Sequence, residues 1–378
     1  MNPIQDANTG EQALFQRSAA HRIPVNGSIE VSPLCNMDCA MCYVRLSRKE
    51  LEAKGRLHSA EEWLSVARQM KDAGVLFLLL TGGEPLLYPG FKALYLGLRQ
   101  MGFILTLNTN ATLLDESWAE FFAANKPRRL NVTLYGIDDR AYRNLCHYPG
   151  GFDRTMHAIH LLKEHEIPFR LSYSLTKENA PDLDAFMDLS KRLELHCGID
   201  PYMMPATRER TRPYDFSARL SPEDAARYAH EIHRRGYEDP EGFRQYCREK
   251  LSLLDAATRF AQEHPEAKQA QPSGCLGGRC SFSLNWQGEL RPCVILTSPA
   301  VNVFEEGFAA GWQHVVQGME TLLLHEDCSV CPRRSLCDIC PAAALYETGA
   351  HNGKPEYLCR YTKELVRLMR EEISRDDT

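Results

Sequence analysis

Cys35-Asn-Met-Asp-Cys39-Ala-Met-Cys42-Tyr43 decides the reading of this chain. Three thiols fall within eight residues, with three and then two residues between them. A structural zinc site closes with four ligands. Three neighbouring thiolates with no obvious local fourth suit a cubane iron–sulfur cluster with one iron left open. An open iron can take a small ligand and is therefore a place for chemistry. The plainer alternative is three buried or disulfide-forming cysteines.

Outward from the thiols, Ser28-Ile-Glu-Val-Ser32 reads as a short strand that delivers the chain to Cys35. The cysteines then occupy a strand-to-helix loop, where function concentrates. Residues 44–58 are rich in charge and read as a solvated turn or irregular helix. Ser59-Ala-Glu-Glu62 is a capping box, which predicts an amphipathic helix to about Ala73, ended by Gly74. Val75 to Leu80 is apolar on both faces, as a strand inside a helix-covered parallel sheet should be. It runs into Thr81-Gly82-Gly83-Glu84-Pro85. The two glycines allow backbone to approach a ligand closely. Glu84 can accept hydrogen bonds from a bound ammonium group, and Pro85 stiffens the exit. Alone, this segment also describes a tight turn with an exposed glutamate.

The alternation continues with a helix over 90–101, a strand from Phe103 to Asn108 that runs into Asn110 and Thr112, and a helix over 115–124. A strand from Arg129 to Leu134, a helix over 152–165, a strand from Phe169 to Leu175, a helix over 181–193 and a strand near Cys197 to Met203 follow. Six strand-then-helix units predict an α/β fold with a barrel-like parallel sheet and right-handed crossovers. Ligands of such sheets sit at the C-terminal strand ends, where the motifs above fall.

C-x3-C-x2-C followed by an aromatic, with G-G-E-P one strand later, resembles the radical S-adenosylmethionine (SAM) enzymes. The resemblance implies a partial (β/α)6 TIM-like barrel. It also implies a 4Fe–4S cluster on Cys35, Cys39 and Cys42, beside Tyr43, whose open iron SAM chelates through its amino and carboxylate groups. Gly82, Gly83, Glu84 and Pro85 would hold the methionine amino group. Asn108 and Asn110 resemble a segment lining the SAM pocket. Thr133 stands where the family often has a serine that hydrogen-bonds SAM. Arg143 would match an arginine at the SAM carboxylate, and Ser174 would face the ribose. For each of these four sites, local turn or strand-end hydrogen bonding is the alternative.

With 378 residues the chain can bury a large core, in one large or two ordinary domains. A net charge of −6 argues against a general nucleic-acid binder. Met1 to Gly10 is polar and unlike a signal peptide. The longest apolar run, Val75 to Leu80, is too short for a bilayer. The expectation is a soluble, cytoplasmic protein without membrane or nucleic-acid partners. Fourteen cysteines in such a chain point to metal rather than disulfides. Three lie in 35–42, eight in 275–359, and Cys146, Cys197 and Cys247 are left over.

The expected divisions are a polar lead-in over 1–27, the barrel over 28–205, a helical connector over 206–273 and a cysteine-rich domain over 274–378. In the connector, Arg208, Arg210, Arg212 and Arg219 either grip acidic groups of a peptide or form a solvated basic loop. Ser221-Pro-Glu-Asp224 opens a helical pattern that persists to about Glu263.

The second cysteine block opens with Cys275 and Cys280, continues with Gly288-Glu-Leu-Arg-Pro-Cys293, and reaches Cys328-x2-Cys331-x5-Cys337-x2-Cys340 and then Cys359. C-x2-C pairs are also zinc signals. The whole pattern resembles the SPASM domain, which radical SAM enzymes acting on peptides and proteins often carry. By that resemblance Cys275, Cys280, Cys293 and Cys340 hold one auxiliary 4Fe–4S cluster, and Cys328, Cys331, Cys337 and Cys359 hold a second. That makes three clusters with the SAM-binding one. The spacing from Cys337 to Cys340 is one residue shorter than in some members, which leaves the partition of these two open. Fully ligated auxiliary clusters would serve electron transfer or shape.

The implied function is reductive cleavage of SAM to a 5′-deoxyadenosyl radical and oxidative modification of a ribosomally made peptide, as a thioether or carbon–carbon crosslink or similar. One alternative is formylglycine formation, as in sulfatase-maturating enzymes. Those carry an aspartate after the G-x4-C cysteine, where this chain has Val294. Radical dehydrogenation of a small molecule is another. A non-catalytic iron–sulfur carrier would have no need of a SAM pocket. The implied partners are a peptide substrate and an electron donor such as flavodoxin or ferredoxin. Residues 1–27 are too short for a fused leader-binding domain, so either a separate leader-peptide-binding protein is a further partner or recognition differs. Tyr135, Asp138 and Asp200 lie near strand ends and read as structural, so no catalytic base is assigned.

Overall fold

Residues 9–206, 208 and 216–374 are described by the computed structural model. Strands β1 (Asn26–Ser32), β2 (Phe77–Gly82), β3 (Ile104–Thr109), β4 (Arg129–Thr133), β5 (Phe169–Ser174) and β6 (Cys197–Asp200) pair in chain order, every pair parallel. Helices Ala60–Asp72, Phe91–Gln100, Glu116–Ala124, Gly151–Glu164 and Leu183–Arg192 connect them. The expected α/β partial barrel is therefore present. The first of these helices starts where the capping box places it: the Glu62 N–H donates to Ser59 Oγ at 3.2 Å, and the Ser59 N–H to Glu62 Oε2 at 2.7 Å. The layer between helices and sheet is apolar. Trp63, Leu80, Leu94, Leu107, Phe122, Leu130, Ile159 and Leu171 are all fully enclosed there. The opposite sheet face is unusually polar, with Ser28, Glu30, Ser32 and Asn131 buried on it.

The sheet does not end with six strands. β7 (Ser281–Leu284) pairs parallel with the free edge of β1, Asn26 against Ser281 through Ile29 against Leu284. Antiparallel β8 (Glu289–Arg291) and β9 (Val301–Asn302) extend it to nine strands, in the order β6-β5-β4-β3-β2-β1-β7-β8-β9. An unpaired β1 edge would present a row of unused backbone groups; the cysteine-rich segment supplies the missing strand. Ser28 Oγ donates to Ser283 Oγ at 2.9 Å across this junction. Gly27 is required there, since a Cβ would stand 2.1 Å from the Phe282 ring.

The lead-in and the start of the connector are ordered by long-range contacts. The polar lead-in contains a helix, Thr9–His21, whose Phe15 is 2% exposed and stacks on Phe77 at 5.6 Å between ring centres. In the connector, Arg208 forms a two-armed ion pair with Glu30 of β1 at 2.5 and 2.8 Å, both side chains almost fully enclosed. Arg219 pairs with Glu347 at 3.1 Å and lies 3.5 Å from the centre of the Tyr357 ring. Neither arginine belongs to a solvated loop. A buried guanidinium needs a partner, and here the partners lie more than a hundred residues away. Arg210 and Arg212 lie outside the described residues. The helical pattern after Ser221 is two helices, Pro222–Arg235 and Pro240–Glu263, separated where Asp239 caps the second through the Gly242 N–H at 2.7 Å. The C-terminal helix Glu356–Ser374 packs on both. Among the described residues no helix is long and apolar enough to cross a membrane.

Phe15→Ala should cost about 3 kcal/mol of stability and open residues 9–21 to protease. Limited proteolysis with a thermal melt checks this, and unchanged protection would contradict the docking of that helix.

Candidate active site

The thiol loop leaves β1 at Ser32, and the end of β2 lies directly against it. The Gly83 N–H donates to the Ser32 carbonyl at 2.9 Å, and the Glu84 N–H to the Leu34 carbonyl at 2.8 Å. A Cβ on Gly82 would stand 2.3 Å from the Ser32 carbonyl oxygen, and one on Gly83 the same distance from that of Leu34. The close approach that these glycines permit is therefore first an approach to the chain's own cysteine loop.

Glu84 is completely buried and binds three neighbours with its carboxylate. The Leu86 N–H donates at 3.1 Å and the Asn110 N–H at 2.9 Å, while the Thr109 hydroxyl lies 2.9 and 3.0 Å from the two oxygens. The exposed-turn alternative for this glutamate is thereby removed. Burial pushes its carboxyl up to about 7, against the lowering pull of those donors.

The sulfurs are held by their own loop. Cys35 Sγ accepts from the Met37 N–H at 3.4 Å and from Asn110 Nδ2 at 3.7 Å. Cys42 Sγ accepts from the N–H groups of Val44 and Arg45 at 3.4 and 3.3 Å. Asn110 also donates to Asn36 Oδ1 at 3.0 Å, and Asn36 donates to Thr112 Oγ1 at 2.8 Å, fastening the loop to the end of β3. Burial pushes the Cys35 thiol well above its usual range, and contact with Cys146 together with burial does the same for Cys39. One buried and two half-buried sulfurs, with N–H donors aimed at the latter two, fit a thiolate-held iron–sulfur cluster, whose iron would displace the thiol protons.

Of the remaining candidates, Thr133 lies half-buried at the C-terminal end of β4, beside Ser172 of β5. Tyr43 has the Arg208 guanidinium 5.3 Å from its ring centre. Asn108 points along the sheet, its Oδ1 accepting from Asn131 Nδ2 at 2.7 Å; Asn110, not Asn108, meets the thiols. Arg143 is not brought in: it is largely exposed and pairs with Asp139 one helical turn away at 2.7 Å. Ser174 is exposed, and its carbonyl takes a hydrogen bond from Asn179 Nδ2 at 3.2 Å. Sequence reasoning passed over Thr109 as a Glu84 partner, although it lies between two asparagines already singled out. It also set Cys146 aside, although the Cys146 carbonyl accepts from the Asp38 N–H at 3.0 Å in the middle of the thiol loop.

In the C-terminal block, Cys328, Cys331, Cys337 and Cys359 line one cavity with Arg333, Arg334 and Lys354. Cys340 instead feels the charges of Cys293 and Cys275, and Cys280 that of Cys275. Cys280 is fully buried against an apolar cluster of Phe15, Ala19, Val25 and Phe77. Among the described residues, no three His, Cys, Asp or Glu side chains converge tightly enough for a single metal ion. The sulfurs are grouped more loosely than that.

Residues 29–190 match the Radical SAM superfamily. That match spans most of the barrel. An AdoMet-dependent heme synthase of Methanosarcina barkeri is 25% identical over 340 residues, covering 88% of this chain and 95% of the relative. The sporulation killing factor maturation protein SkfB of Bacillus subtilis is 24% identical over 161 residues, 43% of this chain and 38% of the relative. Streptococcus suis SuiB bound to precursor peptide SuiA superposes with a TM-score of 0.64 at 18% identity, over 94% of this chain and 82% of that one. Native anSMEcpe with bound AdoMet does so with a TM-score of 0.66 at 18% identity, over 93% and 99%. These structures share the fold across the cysteine-rich part as well. The chain is an enzyme, and the match over its barrel supports SAM and an iron–sulfur cluster as what it uses.

If Glu84 meets the SAM ammonium, it must do so as a carboxylate. Below about 7 it takes up a proton that SAM binding must expel, so affinity should weaken roughly tenfold between pH 8 and pH 6. Equilibrium binding to the reconstituted protein at pH 6, 7 and 8 checks this. Glu84→Gln should bind weakly without that pH dependence, and a flat wild-type profile would contradict the contact.

Proposed function

We propose that this enzyme uses a SAM-binding cluster on Cys35, Cys39 and Cys42 and two auxiliary clusters to oxidise a ribosomally made peptide. The observation that carries the auxiliary part is the division of the eight C-terminal cysteines. One quartet lines a single cavity, and Cys340 sides with Cys275 and Cys293. That supports Cys275, Cys280, Cys293 and Cys340 as one ligand set and Cys328, Cys331, Cys337 and Cys359 as the other. When bound, the clusters and SAM supply a 5′-deoxyadenosyl radical for hydrogen abstraction and a sink for the second electron. The residues of the chain do the rest. Glu84, fixed by Thr109 and the Asn110 and Leu86 N–H groups, offers a negative charge to an ammonium group. Asn36, Asn110 and Thr112 keep the thiol loop against the β3 end. The apolar layer behind the sheet keeps water from the rear of the site.

Support for a peptide substrate comes from the shared fold with SuiB, solved with a precursor peptide, and from the likeness to SkfB, a maturation protein. A second reading, oxidation of a small molecule, is favoured by the heme synthase likeness over nearly the whole chain. Val294 continues to stand against formylglycine formation. Both surviving readings use the same three clusters and differ in substrate alone.

Anaerobically reconstituted protein should hold about 12 iron atoms per chain, falling to about 8 when Cys35, Cys39 and Cys42 are all alanine. Zinc in place of iron would contradict the auxiliary assignment. To test the substrate, the enzyme is co-expressed with a short peptide encoded beside it and the peptide is weighed. Loss of two hydrogens per modified site, absent with the alanine variant, supports the peptide reading. An unchanged peptide mass while SAM is still consumed removes that peptide and favours the small-molecule reading.

A further inference from the structure

One edge of the nine-stranded sheet has no partner among the described residues. β6 is the last strand, four residues long, and it pairs on one side only, with β5. The Leu171 N–H donates to the His196 carbonyl at 3.0 Å, and the Leu175 N–H to the Asp200 carbonyl at 2.9 Å. Along a strand, the residues whose main-chain groups face one neighbour alternate. His196, Gly198 and Asp200 therefore bond β5, and the N–H and C=O groups of Cys197 and Ile199 point away from it. Among the described residues nothing pairs with those groups.

The opposite edge of the sheet, β9, is two residues long and passes at once into helix Val303–Glu306. β6 carries neither proline nor lysine, the residues that often blunt an edge. Its polar face is also open. Among the described residues, no heavy atom beyond the chain neighbours of Gly198 lies within 4 Å of where its Cβ would stand. Ser172, opposite Gly198 in the register, has an enclosed hydroxyl oxygen without a partner. β6 ends on the same side of the parallel sheet as β1, which delivers the thiol loop. Beyond its end, Tyr202 and Met204 pack with Leu324, Ile339 and Leu358 beside Cys337 and Cys340.

We propose that the open edge of β6 binds the peptide substrate as an added strand, with Cys197 and Ile199 pairing to its main chain. The inference rests on the peptide reading above. The edge offers donors and acceptors at the repeat of an extended chain, which a polypeptide matches residue by residue. A compact small molecule has no such repeat. Main-chain pairing fixes the register of the peptide and leaves its side chains to be read at a period of two, with Gly198 giving room on the polar face. A peptide held there meets the end of the sheet that carries the thiol loop and the segment that leads to the auxiliary thiols. Those are the two centres that the proposed oxidation uses in turn.

The test is amide hydrogen exchange on the full, anaerobically reconstituted chain with SAM, without and with a synthetic copy of the short peptide encoded beside it. The affinity for that peptide is measured alongside. The peptide should slow exchange at the Cys197 and Ile199 amides. Ile199→Pro removes one edge N–H, which an unpaired edge tolerates, and should weaken peptide binding about tenfold. Ile199→Val keeps the N–H and should bind like the wild type. Thermal melts detect folding damage in Ile199→Pro, and the exchange measurement on the wild type stands without it. A peptide that binds and loses mass while both amides exchange as before would overturn the proposal, as would equal affinity in Ile199→Pro and Ile199→Val. Amides already protected in a peptide-free dimer would also overturn it, by giving the edge to a second copy of the chain. A peptide that neither binds nor loses mass removes the peptide reading, and the edge proposal falls with it.

Discussion

A buried carboxylate joins the ends of two strands, and the candidate site depends on it. Glu84 leaves β2 and receives donors from its own turn and from the end of β3. Burying a carboxylate without partners is prohibitive, so the Thr109 and Asn110 segment must close on it for the fold to form. That closure brings Asn110 to Asn36 and Cys35. The glycines before Glu84 set the other side, because only residues without a Cβ let β2 run so near the Ser32 to Leu34 backbone. The same few atoms thus fix the cysteine loop, the carboxylate and the spacing between them.

The cysteine-rich part is built into the barrel's sheet. β7 takes the open edge of β1 by main-chain pairing, and the buried pair of Glu30 and Arg208 ties β1 to the connector from the polar side. A strand that carries the thiol loop is therefore held on both edges, by β2 and by β7. Cys275 and Cys280 stand just before β7 and Cys293 just after β8, so the sheet holds these thiols in fixed relation to the strand that carries the thiol loop. The grip of Leu145, Cys146 and His147 on residues 38–40 adds a third restraint at the loop itself.

Much of this was legible in the sequence because it is local. Strand and helix periods, the Ser59 capping box and the cysteine spacings each declare themselves within a few residues. What stayed hidden is long-range. β7 is only four residues of S-F-S-L, too short for a period-two signal to stand out. The helix of the lead-in shows little apolar patterning beyond Phe15 and Ala19, and only Phe77 gives them a partner. Arg208 and Arg219 look like a basic loop until Glu30 and Glu347 arrive beside them. Arg143 runs the other way: matched by motif position, it lies exposed in the structure, paired with Asp139 of its own helix. Cys146 had no motif to belong to, and only the fold places it against the thiol loop.

The account stands or falls on whether Cys35, Cys39 and Cys42 run SAM chemistry. The most direct measurement is anaerobic formation of 5′-deoxyadenosine from SAM with a strong reductant, comparing the reconstituted protein with its Cys35→Ala, Cys39→Ala, Cys42→Ala triple variant. The account predicts product from the first and none from the second, with iron still present at the C-terminal thiols. Equal 5′-deoxyadenosine from both proteins would contradict it.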